Sequence, residues 1–241
     1  MDVHQLPSYW YPETGSRREV LRAGDDSSDR PVVLLHELGG LAQATVDYAA
    51  TLVESGCVVH MPIIFGSAGQ QNPLKGAAQL CWGRQLVLLL SDRRPRIADW
   101  LAGLCREIST SCGRPVVVIG MCASGGAVFS VLKEHSVGGA VAAQPSLPWR
   151  LPSSRPNIAA LGSTISDVEA GAESGKPLVA IRYEDDRVCP AGRLLQIEQS
   201  FGSQSVEYLP GDRHSTLVFD QHEAARRRVL DLLGQVFGPL D

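Results

Sequence analysis

The 18 residues from Pro115 to Leu132 carry no charge, and they constrain the fold more than any other part of this 241-residue chain. A run of that length raises the question of a membrane span. Gly120, Ser124, Gly125, Gly126 and Ser130 interrupt it, however, and it divides into a strand, a tight turn and a helix. The strand, Val116-Val117-Val118-Ile119, is wholly β-branched, as expected for a strand buried on both faces. Small residues at 120 and 123–126 suit a turn that brings the backbone close to its neighbours. The side chain at the apex of such a turn stands at the carboxyl end of the sheet, where open α/β sheets bind ligands. That apex is Cys122.

The rest of the chain repeats this alternation. Val32-Val33-Leu34-Leu35, Cys57-Val58-Val59-His60-Met61, Ala140-Val141-Ala142-Ala143, Leu178-Val179-Ala180-Ile181 and Val206-Glu207-Tyr208-Leu209 read as further strands. Helical patterns fall at Leu41 to Glu54, at Trp100, Leu101, Leu104 and Ile108, and at about 191–200 and 220–236. Strands alternating with helices predict an α/β fold with a mostly parallel central sheet and helices on both faces. Residues 1–30 are polar, with a hairpin or loop expected at Gly24 to Asp29. Residues 63–82 and 145–176, rich in Gly, Pro and Ser, are expected to be loops. No repeat divides the chain, so residues 1–241 are expected to form a single domain.

Composition excludes several classes. With 22 Lys+Arg against 26 Asp+Glu the formal charge is −4, and the pI near 5.9 argues against nucleic acid as a partner. The basic clusters Arg93-Arg94-Pro95-Arg96 and Arg226-Arg227-Arg228 are short and read as solvated surface. No membrane association is expected, and oligomeric state is silent in the sequence. Met1 to Gln5 has no basic region followed by an apolar one, so a cytoplasmic protein without a signal peptide is expected. The six cysteines have neither zinc spacing nor a C-x-x-C, which predicts free thiols and no metal site.

The chemistry starts at Ile119-Gly120-Met121-Cys122-Ala123-Ser124-Gly125-Gly126. A cysteine two residues past a strand and just before a helix has the position of a nucleophile, with the amide of Ala123 facing the reacting atom. The helix N-terminus favours its thiolate. The bland alternative is a buried cysteine in a glycine-rich turn, and Ser124 is a rival nucleophile. A nucleophile needs a base, and the base needs an orienting group. His214 follows the last strand in the loop that precedes the final helix. His4, His60, His135 and His222 fall in the N-terminal segment, on an early strand and on helical patterns. Asp186, in the loop after the strand at 178–181, is the orienting acid, with Asp185 as its close rival. The chain order nucleophile, acid, histidine is that of α/β-hydrolases. After the first buried strand, Leu35-His36-Glu37-Leu38-Gly39-Gly40 places Glu37 where many such enzymes carry a glycine. It reads either as a carboxylate at the mouth of the site or as an exposed turn acid.

Glu37 in a His-Glu-Leu-Gly turn, Cys122 in a Gly-x-Cys elbow, Asp186 in Asp-x-x-x-Pro and His214 in His-Ser together resemble the dienelactone hydrolase family, across nearly all of residues 30–236. The resemblance implies an α/β-hydrolase fold and cleavage of a small-molecule ester or lactone through a thioester, with no cofactor. It makes Cys122 the nucleophile, His214 the base, Asp186 its orienter and Glu37 the partner of the resting thiol, which accepts the thiol proton when substrate binds. The amides of Leu38 and Ala123 would form the oxyanion hole. Two departures stand out. The elbow reads Cys-Ala-Ser-Gly-Gly, as if a residue were inserted. Val218 also stands where the family has a substrate-binding arginine, leaving Arg84 and Arg213 as the candidate cations. Two competing readings are a cysteine-elbow amidotransferase- or protease-like enzyme, which would need a histidine close after Cys122, and a catalytically idle hydrolase fold that binds or regulates.

Overall fold

The computed structural model describes residues 1–13, 16–64, 66–69, 96–146 and 163–239. Eight strands form one sheet: β1 Ser8–Glu13, β2 Ser16–Ala23, β3 Pro31–Leu35, β4 Val58–Pro62, β5 Val116–Met121, β6 Val137–Ala143, β7 Leu178–Tyr183 and β8 Val206–Leu209. Their order is β1-β2-β4-β3-β5-β6-β7-β8. β1 and β2 pair antiparallel with each other and β2 with β4, while every pair from β4 to β8 is parallel. The order reverses at β3, which leads to β4 on one side and lies beside β5 on the other. A crevice opens at such a reversal, at the carboxyl ends of the strands.

Among the described residues six α-helices cover the sheet: α1 Gln43–Glu54, α2 Arg96–Cys112, α3 Val128–Leu132, α4 Ile165–Glu173, α5 Ala191–Phe201 and α6 Glu223–Phe237. The strand period of two assigns each side chain to a face. Val32, Leu34, Val117, Ile119 and Met121 join α1 and α6 residues such as Val46, Leu52, Val229 and Leu233 in one apolar cluster. Val33, Leu35, Val116 and Val118 join Trp100, Leu101, Leu104 and Ile108 of α2 and Phe129 and Leu132 of α3 in the other. Both faces of the central strands are therefore covered, which is why those strands read as unbroken apolar runs.

Three regions differ from the sequence expectation. The N-terminal hairpin pairs β1 with β2 as far as Glu13 and Ser16, and Gly24 to Asp29 instead links β2 to β3. Arg17, Arg18, Glu19 and Arg22 hide the alternation of β2, which is half-solvated near the sheet edge. The stretch 145–176 contains α4, whose start is fixed by a reciprocal cap: Thr164 Oγ1 accepts from the Asp167 amide, and Asp167 Oδ2 accepts from the Thr164 amide. Lys133 Nζ adds an ion pair to Asp167 at 2.8 Å. His135 lies in an exposed turn after α3, not on a helix. Most of the 63–82 loop falls outside the described residues.

Candidate active site

Five strand ends meet in the crevice. The turns after β3, β5, β6, β7 and β8 carry Glu37, Cys122, Gln144 with Ser146, Asp186 and His214, in the spatial order of the strands. Cys122 has φ +52°, in the left-handed region that costs a non-glycine residue about 1–3 kcal/mol. A 3₁₀ turn runs directly from it over Cys122–Ala127 into α3. Close approach explains the small residues: a Cβ on Gly120 would lie 2.6 Å from the Ser124 carbonyl oxygen, and one on Gly125 would lie 2.9 Å from Pro145 Cα.

Ser124 takes no part in the open crevice. It is buried, and its hydroxyl lies 2.9–3.1 Å from the carbonyl oxygens of Leu35, His36 and Met121 while accepting from the Met121 amide. It ties the elbow to the end of β3. His36 adds a second tie. Its Nδ1 donates to the Glu37 carbonyl and its Nε2 accepts from the Ile64 amide at 3.0 Å. Burial lowers its pKa to about 4, which keeps the ring neutral, as the accepting Nε2 requires.

Of the two adjacent aspartates, Asp186 is the one that meets the histidine. Its Oδ2 accepts from His214 Nδ1 at 2.7 Å, and its Oδ1 accepts from the amides of Val188 and Cys189 at 2.7 and 3.0 Å. Burial by itself would raise the Asp186 pKa, but these bonds and the imidazolium charge outweigh it and lower the pKa. Arg182 braces the loop from below, donating to the carbonyls of Asp186 and Cys189. Asp185 is exposed, and its amide bonds to Gly211. For His214, burial disfavours the imidazolium. The bond to Asp186 and the neighbouring Cys122 sulfur outweigh that and raise the pKa to about 10. With Nδ1 committed to Asp186, the buried Nε2 is the ring nitrogen that faces the Cys122 sulfur.

Glu37 is half-buried and held by residues the sequence did not single out. Its Oε1 accepts from Gln144 Nε2 at 3.0 Å and from Ser215 Oγ at 2.7 Å. Burial raises its pKa, opposed by these two bonds and by nearby His214. Gln144 is itself clamped: it has φ +37°, and its Oε1 accepts from Thr216 Oγ1 at 2.6 Å. The structure does not bring Glu37 into hydrogen-bond contact with the thiol. Cys122 Sγ instead meets Ser146 Oγ at 3.3 Å. Gln144 and Ser146 could have been suspected from Gln144-Pro145-Ser146 directly after a buried strand, because a proline ends the ladder there. Arg213 is exposed and paired with Asp220 at 3.1 Å. Arg84 lies outside the described residues. Val218 is buried and places no cation in the site. Among the described residues no group of His, Cys, Asp or Glu is arranged to hold a metal, and no helix is long and apolar enough to cross a membrane.

An eight-stranded, mostly parallel sheet with helices on both faces, a strained elbow after β5, an acid after β7 and a histidine after β8 define the α/β-hydrolase class. Solved structures agree in fold. A dienelactone hydrolase-like promiscuous phosphotriesterase from metagenomic libraries superposes with a TM-score of 0.71 at 14% identity, covering 97% of this chain and 99% of that one. A carboxylesterase of the thaumarchaeon Nitrososphaera gargenis gives 0.66 at 13%, over 95% and 98%. An esterase of Pyrococcus furiosus gives 0.64 at 15%, over 96% and 93%. No curated protein sequence matches the chain significantly. The profile of the dienelactone hydrolase family matches residues 19–236, and the chain belongs to that family. It is accordingly an enzyme of the ester- and lactone-hydrolysing type.

Proposed function

We propose that the chain cleaves a carboxylic ester or lactone through a thioester on Cys122. The observation that carries this reading is the 2.7 Å contact of His214 with Asp186 beside a cysteine held at φ +52° on the elbow. Asp186 holds the imidazole through Nδ1 and favours its imidazolium, so Nε2 takes the thiol proton and keeps it beside the sulfur. The resulting thiolate attacks the ester carbonyl carbon. The negative charge that develops on oxygen is met by the amides of Leu38 and Ala123, which come from the adjacent ends of β3 and β5. The carbon–oxygen bond breaks, and the leaving alkoxide takes the proton from His214. In a lactone that alcohol stays tethered to the acyl group. Water then attacks the thioester, giving its proton to His214, and the thiolate is expelled as the acid forms. Glu37 is the second group able to accept the thiol proton, once substrate displaces its bonds to Gln144 and Ser215. The site requires no cofactor.

Turnover of chromogenic short-chain esters and a series of lactones by wild type and Cys122→Ala tests this reading. Release by wild type that disappears in a folded Cys122→Ala is the expected result. No turnover of any ester or lactone by wild type would leave the binding or regulatory reading standing. Undiminished turnover by Cys122→Ala would place the nucleophile elsewhere.

A further inference from the structure

The proposed mechanism leaves one buried hydroxyl without a task. Ser146 is 1% exposed and lies two residues beyond the strained Gln144, in the turn after β6. Its amide donates to the Cys122 carbonyl at 3.0 Å, which locks this turn against the elbow, and its Oγ stands 3.3 Å from Cys122 Sγ. Among the described residues that sulfur is the one hydrogen-bond partner of the hydroxyl. A buried O–H with a single acceptor in reach donates to it. Gly125, which can hold no Cβ against Pro145, lets the two turns come this close.

We propose that Ser146 is a further catalytic residue, whose hydroxyl donates to the Cys122 sulfur and stabilises the thiolate. The proposal rests on Cys122 being the nucleophile. A thiolate accepts a hydrogen bond far better than a neutral thiol does, as charge-assisted bonds exceed neutral ones. The bond therefore counts twice in the cycle: when the thiol loses its proton, and when the thiolate is expelled from the thioester. It also explains how the sulfur is held while Glu37 is engaged with Gln144 and Ser215. Other charged and titratable groups face the sulfur or its partners. They are His214 and Asp186 from the turns after β8 and β7, Cys189 after β7, Arg193 on α5 and Glu37 after β3. A substitution at Ser146 replaces none of these groups, and Ser146→Thr separates the hydroxyl from packing.

The test is the pH dependence of iodoacetamide alkylation of Cys122, followed by peptide mapping, in wild type, Ser146→Ala and Ser146→Thr. A hydrogen bond to a charged group corresponds to an upward shift of about 1–2 pH units when it is removed. Ser146→Ala is expected to show that shift and a rate near neutral pH lower by about tenfold, whereas Ser146→Thr, which keeps the hydroxyl, stays close to wild type. Ser146→Gly removes the same group and replaces Ser146→Ala should the latter not fold. A Ser146→Ala profile superimposed on wild type overturns the proposal. So do equal shifts in Ser146→Ala and Ser146→Thr, which would reflect packing. Wild-type mapping that finds another cysteine labelled first overturns the nucleophile assignment itself, and so marks a different failure.

Discussion

Cys122 and Cys189 are the same side chain in adjoining turns, and they are built for opposite ends. Cys189 Sγ donates to the Pro145 carbonyl, while Cys122 Sγ meets the hydroxyl of the very next residue, Ser146. Cys189 is fully buried, and burial pushes its pKa up to about 12. It closes the acid loop onto the turn after β6, and the neighbouring Asp186 carboxylate further disfavours its thiolate. Cys122 stands on a left-handed elbow, half-buried, with a histidine near enough to have its own pKa raised by the sulfur. On the proposed mechanism, reactivity comes from the turn that presents a thiol and from the groups facing it.

The comparison breaks most sharply by deletion. Cys122→Ala should lose all measurable ester turnover. Cys189→Ala should keep kcat within about threefold while losing about 1–2 kcal/mol of stability, typical of a buried truncation. Steady-state kinetics and urea unfolding of the two variants check this pair. Iodoacetamide mapping extends it to the other cysteines among the described residues. Burial raises the pKa of Cys57 to about 11, and it also raises those of Cys105 and Cys112. Cys122 should therefore be alkylated before Cys57, Cys105, Cys112 and Cys189.

The same contrast divides the two aspartates. Asp186→Asn should lower kcat by about 10⁴, the loss seen when a triad acid is neutralised. Asp185→Asn, at an exposed position whose amide alone is engaged, should stay within about twofold. Reversed results would move the orienting role one residue along the loop.

Glu37→Gln is a smaller and cleaner perturbation. An amide oxygen can still accept from Gln144 and Ser215, so the change removes charge and leaves the bonds. Turnover should fall by about tenfold, and alkylation and turnover should both change their pH dependence between pH 5 and 9. Curves that match wild type in both assays would remove Glu37 from the mechanism.

The smallest effect is on stability. The His214 pKa lies at about 10 in the fold against 6.5 for the free side chain. Between these values the folded protein holds a proton that the unfolded chain lacks. The associated stability is full below about pH 6.5 and is lost as pH rises through 10. Asp186→Asn removes the bond that raises this pKa, so its melting temperature should fall less than that of wild type from pH 7 to 10. The buried cysteines contribute equally to both proteins and cancel in the difference.

The central strands were legible because burial on both faces leaves an unbroken apolar signature, as in Val32 to Leu35 and Val116 to Ile119. The elbow was legible because a strained turn admits only small neighbours, and Gly120 and Gly125 meet that demand. The β1–β2 hairpin was not, since its solvated edge carries charges that mask the alternation. Nor was the anchorage of Glu37. Gln144 and Ser215 reach it from turns that follow two different strands, and nothing in local sequence encodes such a meeting. Asp186 and Asp185 are equivalent as letters; only the amides of Val188 and Cys189, folded back onto one carboxylate, separate them.

The proposed mechanism requires an acyl group on the sulfur of Cys122. Wild-type enzyme mixed rapidly with a chromogenic ester, quenched in acid during the first turnover and digested, should yield the peptide containing Cys122 heavier by the mass of the acyl group. Hydroxylamine treatment should remove that mass, as it does a thioester. Acyl mass on Ser124, or a burst of released alcohol with no covalent adduct on any peptide, would contradict it.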